Sequence, residues 1–434
     1  MAIVRSSDEH IERSWFESGR KNYVLLLLAL VYTFNYVDRQ ILIILAEPIR
    51  SEFGLKDWQL GFLTGTAFAL FYATLGIPIA RLADRGNRVN IIVAALTIWS
   101  AMTALCGAAT GFFQLAVARV GVGVGEAGGS PPAVSLLSSY FSPQHRSTAM
   151  AVYSVGATVG ILLGFVIGGL VNQHYGWRAA FLIAGVPGLL LAVLLKFTVI
   201  DPGRTPMGDL GAPDSVAPFI QTLTILWSIK TFRLINFAAV AAAIAVYGFM
   251  VWVPIYIIRQ FGLTTGEVGT AIGLIAGIAG STGVFLGGFL ADLFSKIDQR
   301  WQLRIPALTT LMFPPLILLV INASTAKAAM VLLVPAYALA LAYTGPTWAV
   351  LATSAPAHMR SMAAAILLFL VNLIGLGMGP QLIGIISDIM PASMGTSALR
   401  SSIAMVCSVS AVASLFYYLA SKGLRTDTQS AASF

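Results

Sequence analysis

Charge is scarce in this chain. Only 10% of its 434 residues are Asp, Glu, Lys or Arg, against 57% hydrophobic, where soluble domains carry roughly a quarter charged residues. A mean hydropathy of +0.84 at this length excludes an ordinary soluble protein and a disordered one. Cysteine is scarcer still: Cys106 and Cys407 are the only two, both inside apolar runs, which excludes a disulfide-stapled secreted module. The four histidines, His10, His145, His174 and His358, fall in tails and loops with no HExxH or paired spacing. A metallohydrolase is therefore excluded, and no metal site is expected. A loop ending in GK[ST] is absent as well, which argues against ATP drive and leaves no cofactor to expect. The 26 basic against 18 acidic residues give +8. In a soluble protein that excess would suggest a nucleic-acid partner; in a membrane protein it marks cytoplasmic loops, and no nucleic acid is expected.

What is present is a series of long apolar runs. A bilayer core about 30 Å thick needs about 20 apolar residues per helix, and only helices or closed barrels satisfy the backbone there. Twelve spans follow, near 23–46, 58–82, 89–110, 113–140, 147–171, 179–200, 232–258, 267–293, 302–322, 328–352, 361–387 and 399–421. Residues 1–22 read as a polar cytoplasmic tail and not a cleavable signal. Residues 201–231, with Pro202, Pro206, Pro213 and Pro218, read as a cytoplasmic linker between six-helix bundles at 23–200 and 232–421, and 422–434 as a C-terminal tail. With both termini cytoplasmic, most Lys and Arg lie in cytoplasmic loops, as the positive-inside rule requires. The expectation is an all-α protein of the cell (inner) membrane, surrounded by lipid bilayer and acting as a monomer.

The two halves echo each other. Phe53-Gly54-Leu55, four residues, then Leu60-Gly61 recurs 208 residues on as Phe261-Gly262-Leu263, four residues, then Val268-Gly269. Asp84 recurs at the same offset as Asp292, and Pro143-Gln144-His145-Arg146-Ser147 returns, with one insertion, as Pro356-Ala357-His358-Met359-Arg360-Ser361. Three echoes in matching loops imply two parallel six-helix repeats.

On these features the sequence resembles the major facilitator superfamily along essentially its whole length. Its loop signature, a small residue, three others, Asp-Arg, two others and a second basic residue, is matched by Ala80, Asp84, Arg85 and Arg88. A weaker copy occurs at Gly288, Asp292 and Lys296. Within the superfamily, Asn35-Tyr36-Val37-Asp38-Arg39 and the run from Arg119 to Ala127 resemble the Spinster family, although the anion:cation symporter family carries a similar first motif. Asp84, Arg85, Arg88 and Asp292 are expected to gate, because ion pairs at a cytoplasmic helix end can form in one state and break in the other.

Four ionisable residues lie well within spans: Asp38 and Arg39 in the first, Arg119 and Glu126 in the fourth. Ionised groups at that depth cost at least about 2.5–3.5 kcal/mol, so they pair, face a cavity or serve function. Asp38 and Arg119 come out at similar depth and are expected to be partners, while Glu126 lies deeper with no basic residue within a turn. A lone carboxylate of this kind is a candidate proton carrier, with Asp38 the second. The alternative is a structural salt-bridge cluster. Gly123-Val124-Gly125-Glu126-Ala127-Gly128 matches a dinucleotide fingerprint, but no strand precedes it and no ribose-binding acid follows. Glycines at every fourth residue here, in span five (Gly156, Gly160, Gly164, Gly168) and in span eight (Gly269, Gly273, Gly277) instead read as close-packing faces, and the resemblance implies that spans five and eight meet across the two halves. Gly160, Gly164, Gly168 and Gly169 also resemble the superfamily's antiporter motif, with Phe165 where that motif has Pro.

The resemblance puts spans one, four, seven and ten around a central cavity. The C-terminal half offers aromatics there: Tyr247, Phe249 and Trp252 in span seven, Tyr337, Tyr343 and Trp348 in span ten. Cations on one wall and aromatics on the other suit an anionic head with an apolar body. Arg39, Arg119, Asn35 and Tyr36 would then bind substrate together with Tyr247, Trp252, Tyr343 and Trp348. The expected function is alternating-access secondary transport, proton-coupled, of an amphipathic lipid-like substrate; lysophospholipids or sphingolipid phosphates are what the Spinster resemblance implies. An organic-anion/proton symporter or a drug/proton antiporter would also fit, whereas a membrane enzyme or sensor has no extramembrane domain to occupy.

Overall fold

Apolar runs in a medium without water must satisfy their own backbone, and here they do so as helices. The computed structural model describes residues 2–203, 219–356 and 359–431, with backbone alone for 2–18, 84, 219, 220, 392 and 425–431. Every regular element among the described residues is helical, and ten helices are long and apolar enough to cross a membrane. The longest, Pro143–Thr198, is broken at Gly176 (φ 82) and supplies two spans. One further span is assembled from Phe112–Glu126 and Ser130–Tyr140, interrupted at 127–129.

All twelve expected spans are therefore present: α1 (Ala2–Phe53), α2 (57–85), α3 (Arg88–Cys106), α4 (112–140), α5 (143–175), α6 (177–198), α7 (Lys230–Phe261), α8 (Thr265–Ser295), α9 (Trp301–Ile321), α10 (Ala326–Ser354), α11 (Arg360–Ile389) and α12 (Thr396–Ala431). Helix α1 runs back through the segment expected as a polar tail. Between α6 and α7 a short linker helix, Phe219–Ser228, is described; the rest of the expected linker, 204–218, lies outside the described residues, as do 357–358 of the third echo and 432–434 of the C-terminal tail. An even number of spans places the linker helix Phe219–Ser228, the start of α1 and the end of α12 on one side, the linker side. The opposite side is the far side.

Large apolar residues stay exposed on the outer surface, Phe285 at 69% and Leu190 at 67% among them. Such a surface is tolerable only against lipid. Inside, bare glycines allow close approach. A side chain at Gly123 would meet the Phe68 carbonyl at 2.6 Å and one at Gly125 the Trp99 amide at 2.6 Å, so the dinucleotide-like run is a packing face of α4 against α2 and α3. The glycines of α5 correct an expectation. Gly156, Gly160, Gly164 and Gly168 pack on α1, at Ala29, Thr33, Val37 and Ile41, within the N-terminal half. Only the next, Gly169, meets the other half, at Thr265, while Gly269 and Gly273 of α8 meet Phe165 and Leu162 of α5 as expected.

The sequence echo has a structural meaning. Gly54 (φ 63) and Gly262 (φ 65) end α1 and α7 in the left-handed conformation that glycine adopts without strain. Seven residues after each, Gly61 and Gly269 are the points where α2 and α8 press on the opposite half, at Pro380 and Phe165. Both seams are on the far side. Helices α2 and α11 each contain a π-helical turn at this crossing, Phe62–Thr66 and Val371–Leu376.

Candidate functional site

Packing of α1 on the bare face of α5 fixes the segment Asn35–Arg39 and turns Arg39 towards α2 and α4. Its Nε donates to Glu126 Oε2 at 2.6 Å, with the Glu126 side chain fully buried and that of Arg39 19% exposed. Three aromatic rings surround the guanidinium: Tyr72 at 4.7 Å, Phe68 at 4.8 Å and Tyr36 at 5.2 Å. Each such contact contributes about 0.5–2 kcal/mol, depending on desolvation. Arg119 faces the same Phe68 ring at 5.5 Å, and its Nε donates to the Leu63 carbonyl at 3.4 Å. Leu63 belongs to the π-helical turn of α2, so the buried charges touch the helix that forms the far-side seam. Asn35 and Asp38 are 4% and 1% exposed. Asp38 lies within Coulombic reach of Glu126, Arg119 and Arg39. Two carboxylates and two guanidinium groups thus form a cluster whose formal charges cancel.

Two expectations about this cluster are corrected. Glu126 does not stand alone, because Arg39 reaches it from another helix. Asp38 and Arg119 form no ion pair among the described residues, although they lie within Coulombic reach of each other.

A cavity of about 380 Å³ opens below the cluster on the linker half, lined by Tyr72, Gly76, Arg81, Ala127, Phe369 and Asn372. Tyr72 belongs both to that wall and to the cage around Arg39. From α7, Tyr247 comes within electrostatic reach of Arg39, Tyr36 and Tyr72, and Tyr343 lies beside Tyr417 with ring centroids 6.3 Å apart. Two expected cavity residues are not brought to the cluster. Trp252 is fully buried, and its indole N–H donates to the Pro380 carbonyl at 2.8 Å, holding α7 to α11. Trp348 is 38% exposed towards the linker-side end of α10.

The far side is shut by polar contacts between the halves. Arg259, at the end of α7, donates to Glu47 Oε2 at 2.6 Å and pairs with Asp57 at 2.9 Å. Asp388 of α11 accepts from the backbone N–H groups of Asp57 and Trp58, at 3.2 and 2.7 Å, so one half caps the N-terminus of a helix in the other. Ser387 donates to Asp57 Oδ2 at 2.8 Å. Sequence reasoning missed this group because charges at span ends look like ordinary boundary residues.

The expected gate on the linker side is arranged differently. Arg85 and Asp292 are exposed, and the Asp84 side chain lies outside the described residues. Arg88 is 2% exposed and forms an ion pair with Asp201, just past α6; its backbone N–H donates to Asp201 Oδ2 at 2.8 Å and its Nη1 to Ser139 at 2.7 Å. These contacts stay within the N-terminal bundle and the start of the linker, so in this conformation Arg88 anchors α3 and reaches no residue of the C-terminal half among those described. Burial opposes the charge on Asp201, but the guanidinium and N–H donors outweigh it and hold its carboxyl below the usual carboxylate range. The depressed folded-state value means the contribution is present above the unfolded pKa of about 3.9 and lost as pH falls through the lower folded value. Wild type should therefore melt above Asp201→Asn at pH 7, with the gap closing below about pH 4; a pH-independent gap in thermal unfolding would contradict this role.

Comparison with known proteins now decides the family. The model described as Major Facilitator Superfamily matches residues 28–380. The chain belongs to this superfamily. It is a membrane-embedded secondary transporter by that membership. It is 34% identical to an MFS-type efflux pump of Mycolicibacterium smegmatis, covering 96% of this chain and 94% of the relative. To the hexuronate transporter of Bacillus subtilis it is 27% identical, covering 90% and 93%. Among solved structures it is similar to a bacterial homologue of the human lysosomal transporter Spinster in an inward-facing, unoccupied conformation. That match has a TM-score of 0.85 and 31% identity, covering 94% of this chain and 98% of that one. The Spinster resemblance read from Asn35–Arg39 and Arg119–Ala127 is thereby borne out.

Proposed function

We propose that this protein is a proton-coupled transporter of an anionic amphiphile, working by alternating access between the bundles 23–200 and 232–421. The linker side is taken as cytoplasmic, which makes this conformation inward-facing. One observation carries the reading: Arg39, caged by Tyr36, Phe68 and Tyr72 and bonded to Glu126, stands at the head of a cavity open towards the linker side. An arriving anion competes with Glu126 for the guanidinium. Glu126, left without its counter-charge in a buried site, restores neutrality by taking up a proton. Anion and proton then load together, and the return of Glu126 to Arg39 expels both.

The relatives support the coarse chemistry, since one carries a hexuronate and another resembles a lysosomal Spinster. Arg39→Ala should weaken binding of an anionic lysolipid about 10- to 100-fold, the worth of a charge-assisted hydrogen bond, and a neutral analogue far less. Ligand-induced melting shifts would check this, and equal losses would refute head-group recognition by Arg39. The hexuronate relative favours a second reading, a tail-less organic acid on the same arginine. A shift with sugar acids and none with lysolipids would select it.

A further inference from the structure

The cavity below Tyr72 continues sideways. Ile77 of α2 and Met362, Ala365 and Phe369 of α11 line it on one face and, on the other, line a second space of about 790 Å³. The outer wall of that space is the linker helix, through Leu223 and Trp227. Ile77 lies eight residues from the linker-side end of α2, about 12 Å in depth, and Met362 is within the first turn of α11. The groove therefore sits at the level of the leaflet nearest the linker.

We propose that this groove binds the apolar tail of the cargo, admitted sideways between α2 and α11 from that leaflet, with the linker helix as its outer wall. This rests on the amphiphile reading above. Three features favour an acyl chain as occupant. The groove joins the charged cavity through four shared side chains, so a molecule in both has its head towards Arg39 and its tail towards lipid. Its volume is within the roughly 300–1,000 Å³ of small-molecule sites. Its lining is almost wholly apolar, as with Ile366 and Leu370, so an aqueous solute passing through would gain nothing from the wall, whereas a tail leaving the bilayer keeps apolar contact throughout. Because lipid is as apolar as the groove, tail length adds no hydrophobic gain and selection rests on fit.

The test uses the full chain in proteoliposomes with palmitoyl and hexanoyl lysophosphatidylglycerol as probes. Ile366→Trp, which lines the groove and not the charged cavity, plugs it from α11, and Leu223→Trp plugs it from the linker helix. Each should slow the palmitoyl probe about tenfold, as overpacking of a fitted site does. The hexanoyl probe, which reaches the cavity through water, should change no more than about twofold. Ile278→Trp, at a position 67% exposed on α8, is the surface control and should change neither. Equal slowing of both probes by either plug, or slowing of neither, overturns the tail site. A wild type that fails to move the palmitoyl probe overturns the amphiphile reading itself.

Discussion

Glu126→Gln should reduce pH-driven uptake to background in proteoliposomes while exchange of labelled substrate across the membrane persists. The amide keeps the volume of the carboxylate but can neither carry a proton nor balance Arg39. Removing one partner of a buried ion pair costs about 3–5 kcal/mol, because the other charge is left uncompensated. The cage of Tyr36, Phe68 and Tyr72 offsets part of that for the guanidinium, so the variant should fold but melt lower. Adding Arg39→Gln should recover part of the lost melting temperature, as coupled neighbours do in a double-mutant cycle. Uphill uptake that survives in Glu126→Gln would rule out this residue as the coupling site and turn attention to Asp38.

Arg259→Ala should shift the protein towards opening on the far side. Among the described residues its guanidinium is the one group that meets both Glu47 and Asp57 from the other half, and its loss leaves two carboxylates facing each other across Arg50. The group borders a cavity of about 590 Å³, so the contacts are partly wet and their loss should fall at the lower end of the range for paired charges, about 2–3 kcal/mol. That corresponds to a population shift of roughly 30- to 150-fold. A cysteine at Leu60, 1% exposed in this conformation, reports it through labelling by an impermeant maleimide; Cys106 and Cys407 are both buried and contribute little background. Labelling at Leu60 that is unchanged by Arg259→Ala would mean that glycine packing alone holds the seam.

Much of the fold was legible because lipid leaves so few solutions. Span positions, the broken fourth helix apart, followed from apolar run length, and the repeat followed from Gly54 and Gly262, whose backbone conformation admits little else. The site was legible in composition but not in pairing. Depth counted along single helices set Arg119 beside Asp38 and left Glu126 alone, whereas helix rotation and the bare face of α5 bring Arg39 to Glu126. Phe68 and Tyr72 carried a signal that went unused: two aromatics one turn apart on α2, facing the charged helices. Trp252 misled because an indole in a cavity helix looks the same in sequence whether it faces ligand or satisfies a carbonyl at Pro380. The far-side group was illegible for a different reason, since Glu47, Asp57, Arg259 and Asp388 meet only once the halves are docked.

The π-helical turns of α2 and α11 lend the transporter a way to move without melting. A π turn holds one surplus residue in the helix, with i→i+5 bonds in place of i→i+4. That surplus can pass to the neighbouring turn by exchanging one set of bonds for the other, with no net loss. Each such step turns the side chains between the old and new positions by about 100° around the helix axis. Leu63, whose carbonyl accepts from Arg119, lies inside the surplus turn of α2. The buried cluster is thus hydrogen-bonded to a dislocation already present in the helix, of a kind that can be displaced like a ruck in a carpet without breaking the helix.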